Sequence, residues 1–551
     1  MPPSSIPPAD EPRVAEVVAS VLKAKGVPYL FGIPGGGSSI DLIESCGQMG
    51  IPFVLAQHET TSAMMAAVCG QLSDSCGVCL SIMGPGAVNL AAGASYAYWE
   101  RHPLLAMTES YGATQAPSMS IQKMDHTQLF GSFAKKSVTL GSSAPSRQLE
   151  EAINRAGSER PGPVHVDLPL HIMTQQTMFP EASQPSSSGC SAPEGGDLDK
   201  VTDAIEAAAR PVLVVGPVVQ RQRAQSALLG LVEKLQLATL VTSKARGVID
   251  EDHPFFAGGV TGAYGQTTLE GKIVHQSDLV IAIGLDRMEL LSPWQYPQPM
   301  VFLDAIPVPE EEEVSRPLIK AYGPLTTLLE SLTRRLSGRR IWDASALEAF
   351  WNEVRHPLGA DGDDLNAASL LARARQLAPR ETILATETGI YNAVNLYPWK
   401  VTASGTYFGS SGANTMGYSI PAALGTSLLR PDRKTVALVG DGGFLMRASE
   451  LETALRLKLA PVIIIFNDGT LALIRIKQRA KGYRRAGVDL ASTNFVRLAE
   501  SFGGRGWMVR TLEDFDAAFR KALSSDQLTV IDARLDADVY ASHMGPIRGI
   551  Q

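Results

Sequence analysis

Short uninterrupted apolar runs, each ending on glycine or a polar residue and each followed by a stretch of helical period, recur along the chain. Within residues 10–175, "PYLFGIPGG", "PFVLAQHE", "VCLSIMGPG", "LLAMTES" and "PVHVDLP" read as five strands. Apolar runs without polar alternation, with helices between them, predict a parallel sheet with crossover helices covering its faces. The pattern returns with "PVLVVGP", "ATLVTS", "DLVIAIG" and "MVFLDA", and again with "TILATETG", "KTVALVGDGG", "PVIIIFND" and "LTVIDARL". Between the first two sets, "MFPEASQPSSSGCSAPEGGD" is rich in Pro, Ser and Gly and reads as a linker. A second polar stretch, "RHPLGADGDDLN", precedes the third set. The expected fold class is therefore α/β, with three consecutive parallel-sheet domains at residues 10–177, 198–340 and 365–540 and a linker at 178–197.

Composition narrows the partners. A chain of 551 residues exceeds what one core organises, and 45% hydrophobic with 19% charged residues describes a globular protein. A formal net charge of -7 and the lack of long basic runs argue against a nucleic-acid-binding surface. No apolar run reaches the length of a membrane span, and the N-terminal "MPPSSIPPADEPRVAEVV" lacks the features of a signal peptide. The five cysteines include the pair Cys76 and Cys79, but no second pair or histidine cluster completes a zinc motif, so they fit the start of a buried strand. Reduced thiols in a cytoplasmic protein are expected.

In open parallel sheets, ligands bind beyond the carboxyl ends of the strands. The polar residues that follow the apolar runs are thus the candidates for chemistry. "TVALVGDGG" runs into Asp441, flanked by Gly440, Gly442 and Gly443. Glycines there let backbone N–H groups approach an anion, while the carboxylate can hold a divalent cation. One helix and one strand later "PVIIIFND" ends on Asp468, 27 positions after Asp441. Mg²⁺ bridging two carboxylates and a diphosphate suits such a pair, because it takes hard oxygen ligands and substrate phosphates. A lone GDG is more often a capped turn; its union with Asn-Asp at the next strand end gives the signal its specificity.

That pairing resembles the motif of thiamin-diphosphate enzymes, in which GDG is followed at the next strand end by Asn-Asn. Here Asn467-Asp468 replaces Asn-Asn, which is similar to the catabolic acetolactate synthases. The resemblance covers nearly the whole chain and implies pyrimidine-binding, central Rossmann-like and diphosphate-binding domains in that order. It implies Mg²⁺ ligands at Asp441, Asp468 and the main-chain carbonyl of Thr470, with Thr388, Gly389, Gly442 and Gly443 about the diphosphate. Glu59 in "PFVLAQHETTSAMMAA" takes the place of the glutamate that shares a proton with the aminopyrimidine ring, so that the ring's exocyclic nitrogen can remove the thiazolium C2 proton. On its own, "HE" before a helix is an N-terminal capping feature. "SSGANTMGYSIPAALG" places Met416 where the family's methionine wedges between the two cofactor rings, and Asn414 where main chain meets the pyrimidine amine. Gln122, Leu473, Ile474 and Lys477 fall at substrate-lining positions, the last three on one helical face. A lysine there otherwise extends from an ordinary surface helix into solvent.

The reaction implied is decarboxylation of a small 2-oxo acid and ligation to a carbonyl acceptor. The alternatives are a decarboxylase or carbon–carbon lyase without ligation, and a non-enzymatic protein on the same fold. The cofactors implied are thiamin diphosphate and Mg²⁺. FAD is expected to be absent, because "SKARGVIDEDHPFFAGGVTGAYG" and "AIGLDRMEL" hold no adenine-nucleotide fingerprint. The family pairs its first and third domains across two chains, which implies a homodimer or homotetramer.

Overall fold

The computed structural model describes residues 11–73, 75–112, 114–178 and 195–548. Most of the linker expected at 178–197, residues 179–194, lies outside the described residues. Three six-stranded, all-parallel sheets follow one another along the chain. The first holds β1 (Leu30–Gly32), β2 (Phe53–Leu55), β3 (Gly77–Ser81), β4 (Leu104–Ser110), β5 (Ser137–Thr139) and β6 (Pro163–Pro169). The second holds β7 (Pro211–Val215), β8 (Thr239–Thr242), β9 (Phe256–Val260), β10 (Leu279–Ile283), β11 (Met300–Asp304) and β12 (Ile319–Tyr322). The third holds β13 (Ile383–Thr386), β14 (Tyr407–Phe408), β15 (Thr435–Gly440), β16 (Val462–Asn467), β17 (Arg505–Val509) and β18 (Thr529–Arg534).

The inner strands form where β-branched residues run together and helices cover both faces. In β16, "VIIIFN", every residue is buried, and the strand pairs with β15 on one side and β18 on the other. Five strands escape the sequence pattern, namely β5, β9, β12, β14 and β17, and all five lie at sheet edges. An edge strand needs less apolar cover: β5, β12 and β17 are largely part-exposed, β14 has two residues, and β9 carries two glycines.

The first sheet runs β2-β1-β3-β4-β6-β5 and the third β14-β13-β15-β16-β18-β17, so both place their own strands in the order 2-1-3-4-6-5. In each, the first and third strands are neighbours whose connections leave toward opposite sides. This opens a crevice at their carboxyl ends, the place where ligands enter parallel sheets. The middle sheet, β12-β11-β10-β7-β8-β9, has the doubly wound order with its first and fourth strands central.

By compactness the chain divides into two units. One comprises Met1–Ser187 with Leu424–Pro431 and Ser449–Leu457; the other holds the second and third sheets. No helix among the described residues is long and apolar enough to cross a membrane. Cys46, Cys69, Cys76 and Cys79 are unpaired and buried, and burial pushes the Cys46 thiol up to about 12.

Candidate functional site

At the crevice of the third sheet, a cavity of about 260 Å³ opens beyond the ends of β13, β15 and β16. Asp441 is the first residue of the helix Asp441–Arg447 and is buried. Its carboxylate accepts hydrogen bonds from Gly442 N (2.8 Å) and Gly469 N (2.8 Å). Asp468 follows β16, and its Oδ1 accepts from Thr470 N at 3.0 Å. Asn467 turns the other way, its Nδ2 donating to Asp532 Oδ1 at 2.8 Å, and Asp468 lines the cavity.

Burial raises the Asp441 carboxyl above the usual range, and burial with the nearby Asp441 charge pushes Asp468 up to about 7. Two carboxylates held this way disfavour each other's charge until a cation arrives. Among the described residues that line the cavity there is no lysine, arginine or histidine, while Glu387 adds a third carboxyl. Among the described residues the Thr470 carbonyl accepts from Ala472 N, at 2.9 Å, and a carbonyl oxygen has a second lone pair to offer. This donor set, all hard oxygen, fits a divalent cation such as Mg²⁺.

Opposite Asp441, the segment after β13 supplies Glu387, Thr388 and Gly389. Glu387 Oε2 accepts from Ser419 N (3.2 Å) and Ser419 Oγ (3.1 Å), whereas Oε1 is buried without a hydrogen-bond partner. Burial pushes its carboxyl up to about 7. A Cβ on Gly443 would fall 1.8 Å from Glu387 Oε1, so only glycine permits this approach of strand end and helix start. The Tyr391 ring stacks on Phe466, with centroids 4.5 Å apart, and both line the cavity. The Tyr391 and Tyr540 hydroxyls are buried there, and no hydrogen-bond partner meets them among the described residues. Orphaned polar groups converging on one cavity mark a place for a polar ligand.

Glu387, Tyr391 and Tyr540 are not singled out by the sequence reading. "ATETG" held the signal for Glu387, as a carboxyl at a strand end, but nothing local marks Tyr540, which a C-terminal helix brings in.

Met416 also lines the cavity, its methyl 3.3 Å from where a Cβ on Gly442 would sit. Asn414 is exposed, has φ 47°, and donates from Nδ2 to Ser411 O at 3.0 Å; it is not among the lining residues. Asparagine tolerates this left-handed conformation, which explains why a non-glycine residue can stand there. Leu473 and Ile474 line the apolar wall from the helix Ala472–Ala480, while Lys477, one turn further along, is exposed and outside the lining.

Glu59 lies in the first unit, at the start of the helix Glu59–Leu72, capped by His58, whose Nδ1 accepts from Thr60 N at 3.2 Å. It is 7% exposed, low enough for its carboxylate to depend on protein partners. Asn89 Nδ2 donates to its Oε2 at 3.0 Å, and Gly86 lies against Oε1. The preceding loop is pinned by Glu450, which accepts from Gln57 N at 3.1 Å. Gln122 lines a separate cavity of about 300 Å³ in the first unit. Of the residues named from sequence, the third-sheet cavity thus brings together Thr388, Gly389, Met416, Asp441, Gly442, Gly443, Asp468, Thr470, Leu473 and Ile474, whereas Asn414 and Lys477 lie outside its lining and Glu59 and Gln122 belong to the first unit.

The first and third sheets thus share one topology, with the buried Glu59 following a strand of one and the paired carboxyls of Asp441 and Asp468 at the strand ends of the other. In agreement, the chain matches the N-terminal TPP-binding domain of thiamine pyrophosphate enzymes over residues 12–129, their central domain over 198–317 and their C-terminal TPP-binding domain over 387–533. The chain belongs to this family. Among curated proteins it is 29% identical to the catabolic acetolactate synthase of Raoultella terrigena over 95% of both chains. It is 26% identical to the acetolactate synthase of Bacillus subtilis, over 95% of this chain and 93% of the other. With the acetolactate synthase isozyme 2 large subunit of Escherichia coli it shares 27%, over 95% of each.

Proposed function

We propose that the chain is a thiamin-diphosphate- and Mg²⁺-dependent carboligase that decarboxylates a small 2-oxo acid and joins the remaining acyl carbon to a second carbonyl compound. The observation that carries this reading is the third-sheet cavity, where carboxylates, glycine amides and an apolar helix face converge. Thiamin diphosphate, when bound, supplies a carbon nucleophile and an electron sink for the carboxylate that leaves as CO₂. Asp441, Asp468 and the Thr470 carbonyl would hold Mg²⁺, and Thr388, Gly389, Gly442 and Gly443 would take the diphosphate. Met416, which lines the cavity, would pack against the cofactor rings, and the main chain at Asn414 would accept from the pyrimidine amine. Glu59 holds and returns a proton at the pyrimidine ring nitrogen. Leu473 and Ile474 form an apolar wall for the alkyl group of the substrate, with Gln122 near its polar end.

Ligation is favoured over simple decarboxylation by the full-length similarity to acetolactate synthases. A panel of 2-oxo acids, with and without aldehyde or 2-oxo acid acceptors and with products identified by mass, tests this. A hydroxyketone or acetohydroxy acid of mass equal to donor plus acceptor minus CO₂ is expected. Release of free aldehyde alone would make the protein a decarboxylase.

Two further outcomes follow from this reading. Because Lys477 is exposed, its contact with an acceptor carboxylate is screened by water. Lys477→Met should therefore raise KM for a charged 2-oxo acid acceptor only about three- to fivefold, and leave a neutral aldehyde acceptor unaffected. Equal losses for both acceptors, or none, would place Lys477 outside the substrate path.

The active sites are proposed to form between two copies of the chain, Glu59 from one and Asp441 from the other. Co-expressed Glu59→Gln and Asp441→Ala chains should then recover about a quarter of wild-type activity, since half the dimers are hybrids with one intact site each. No recovery in a verified hybrid would place both residues in the site of a single chain.

A further inference from the structure

Beneath the first-unit cavity lies a buried polar cluster that the cofactor chemistry does not use. His126 opens the helix His126–Phe130, Thr108 lies on β4, and His165 and Asp167 lie on β6. The two histidines and Asp167 offer three ligand atoms within 4.8 Å of one another, a spacing that suits a metal ion. The centre is already taken, however. Thr108 Oγ1 lies 3.2 Å from His126 Nδ1, 2.8 Å from His165 Nε2 and 2.8 Å from Asp167 Oδ1.

The hydrogen bonds assign the protons instead. Gly84 N donates to His126 Nε2 at 3.3 Å, so that nitrogen carries no proton, and Nδ1–H donates to Asp167 Oδ1 at 2.7 Å. Thr108 donates its hydroxyl to the same carboxylate oxygen and accepts from His165 Nε2–H. His165 Nδ1 then accepts from Ser137 Oγ at 3.1 Å. Each hydrogen bond of the cluster then has one donor and one acceptor, and burial holds the His165 ring down at about 4.

The outward end of this network is Gly84. It has φ 65° and ψ -113°, which only glycine adopts without strain, and it packs on the backbone of Gln122. Gly84 caps the helix Pro85–Glu100, which carries Gly86 against Glu59 Oε1 and Asn89, the donor to Glu59 Oε2. Thr60 Oγ1, next to Glu59, donates back to Asn89 O at 2.7 Å. We infer that His126 is a positioning residue: by accepting from Gly84 it fixes the glycine turn and, through that helix, the two groups that hold the Glu59 carboxylate. The inference rests on the proton-transfer role proposed for Glu59.

The test is C2 proton exchange in bound thiamin diphosphate, measured by quenched-flow NMR on the holoenzyme alongside cofactor affinity and Tm. His126→Asn keeps a donor toward Asp167 but has no atom at the Nε2 position. Exchange should slow about 10- to 100-fold, as expected for a misplacement near 1 Å, with cofactor affinity near wild type. His126→Gln, whose Oε1 can reach the Nε2 position, should restore most of the rate. Wild-type exchange in His126→Asn, or a joint loss of exchange, affinity and Tm in both variants, would overturn the assignment. Glu59→Gln measured in parallel separates the two readings. Normal exchange there removes the role of Glu59 itself, whereas slow exchange there with normal exchange in His126→Asn removes only that of His126. Should His126→Asn fail to fold, ¹⁵N shifts of labelled histidine in the wild type decide, because an Nε2–H tautomer at His126 overturns the network.

Discussion

Glu59→Gln should lower turnover by about 100- to 10,000-fold while the protein still takes up thiamin diphosphate, because general acid–base groups contribute rate factors of that size. Glutamine has the shape of glutamate, and its Oε1 can still accept from Asn89 Nδ2, so the local packing around the first turn survives. What it cannot do is hold and return a proton at the pyrimidine. Loss of negative charge at the start of the helix Glu59–Leu72 costs only about 0.3–1 kcal/mol, far too little to unfold the site. Cofactor affinity by titration calorimetry and C2 exchange by NMR check the two halves of the expectation. Exchange at the wild-type rate would assign the proton transfer to another group.

Asp441→Ala should weaken cofactor binding by about two to three orders of magnitude at low Mg²⁺, the usual cost of removing one partner of a buried charged contact. The carboxylate does two things in the structure. Its charge lies close enough to Asp468 to raise that carboxyl, and it accepts from Gly442 N and Gly469 N, tying the helix start to the loop after β16. Asp441→Asn separates these roles, since its amide oxygen can keep an amide contact while the charge is gone. Affinity in Asp441→Asn should stay close to that of Asp441→Ala, and both should recover partly at high Mg²⁺ through Asp468. A variant that binds the cofactor as wild type, or an Asp441→Asn indistinguishable from wild type, would move the metal elsewhere. Binding is read by isothermal titration at several Mg²⁺ concentrations, with Tm as a control for the fold.

The apolar runs of the chain dictate its central strands. A strand such as "VIIIFN" is buried along its whole length, so water is excluded from both faces and every position but the last is apolar; the terminal Asn467 is buried with a hydrogen bond to Asp532. The same runs end on Asp441 and Asp468, and parallel pairing then forces those residues to one edge of the sheet. Both the three-sheet architecture and the carboxylate pair are therefore legible in the sequence. Edge strands were not, because one side of an edge faces solvent or loops and its residues need not be apolar. "RGWMV" in β17 and "IKAY" in β12 owe their extended form to a neighbour that supplies hydrogen bonds, not to their own pattern.

Contacts between residues distant in sequence belong to tertiary structure alone. Glu387 meets Gly443 because β13 and β15 are neighbours, and its orphaned oxygen is apparent only when the cavity closes around it. His126 reaches Asp167, Thr108 and Gly84 because three separate segments of the first unit pack at one point. The sequence by itself determined which strands are buried and which polar side chains stand at their ends, since burial on both faces leaves a local and continuous record. Tertiary structure decided the partners of those side chains and the form of the edges, since a hydrogen bond across the sheet constrains two positions jointly and leaves neither marked on its own.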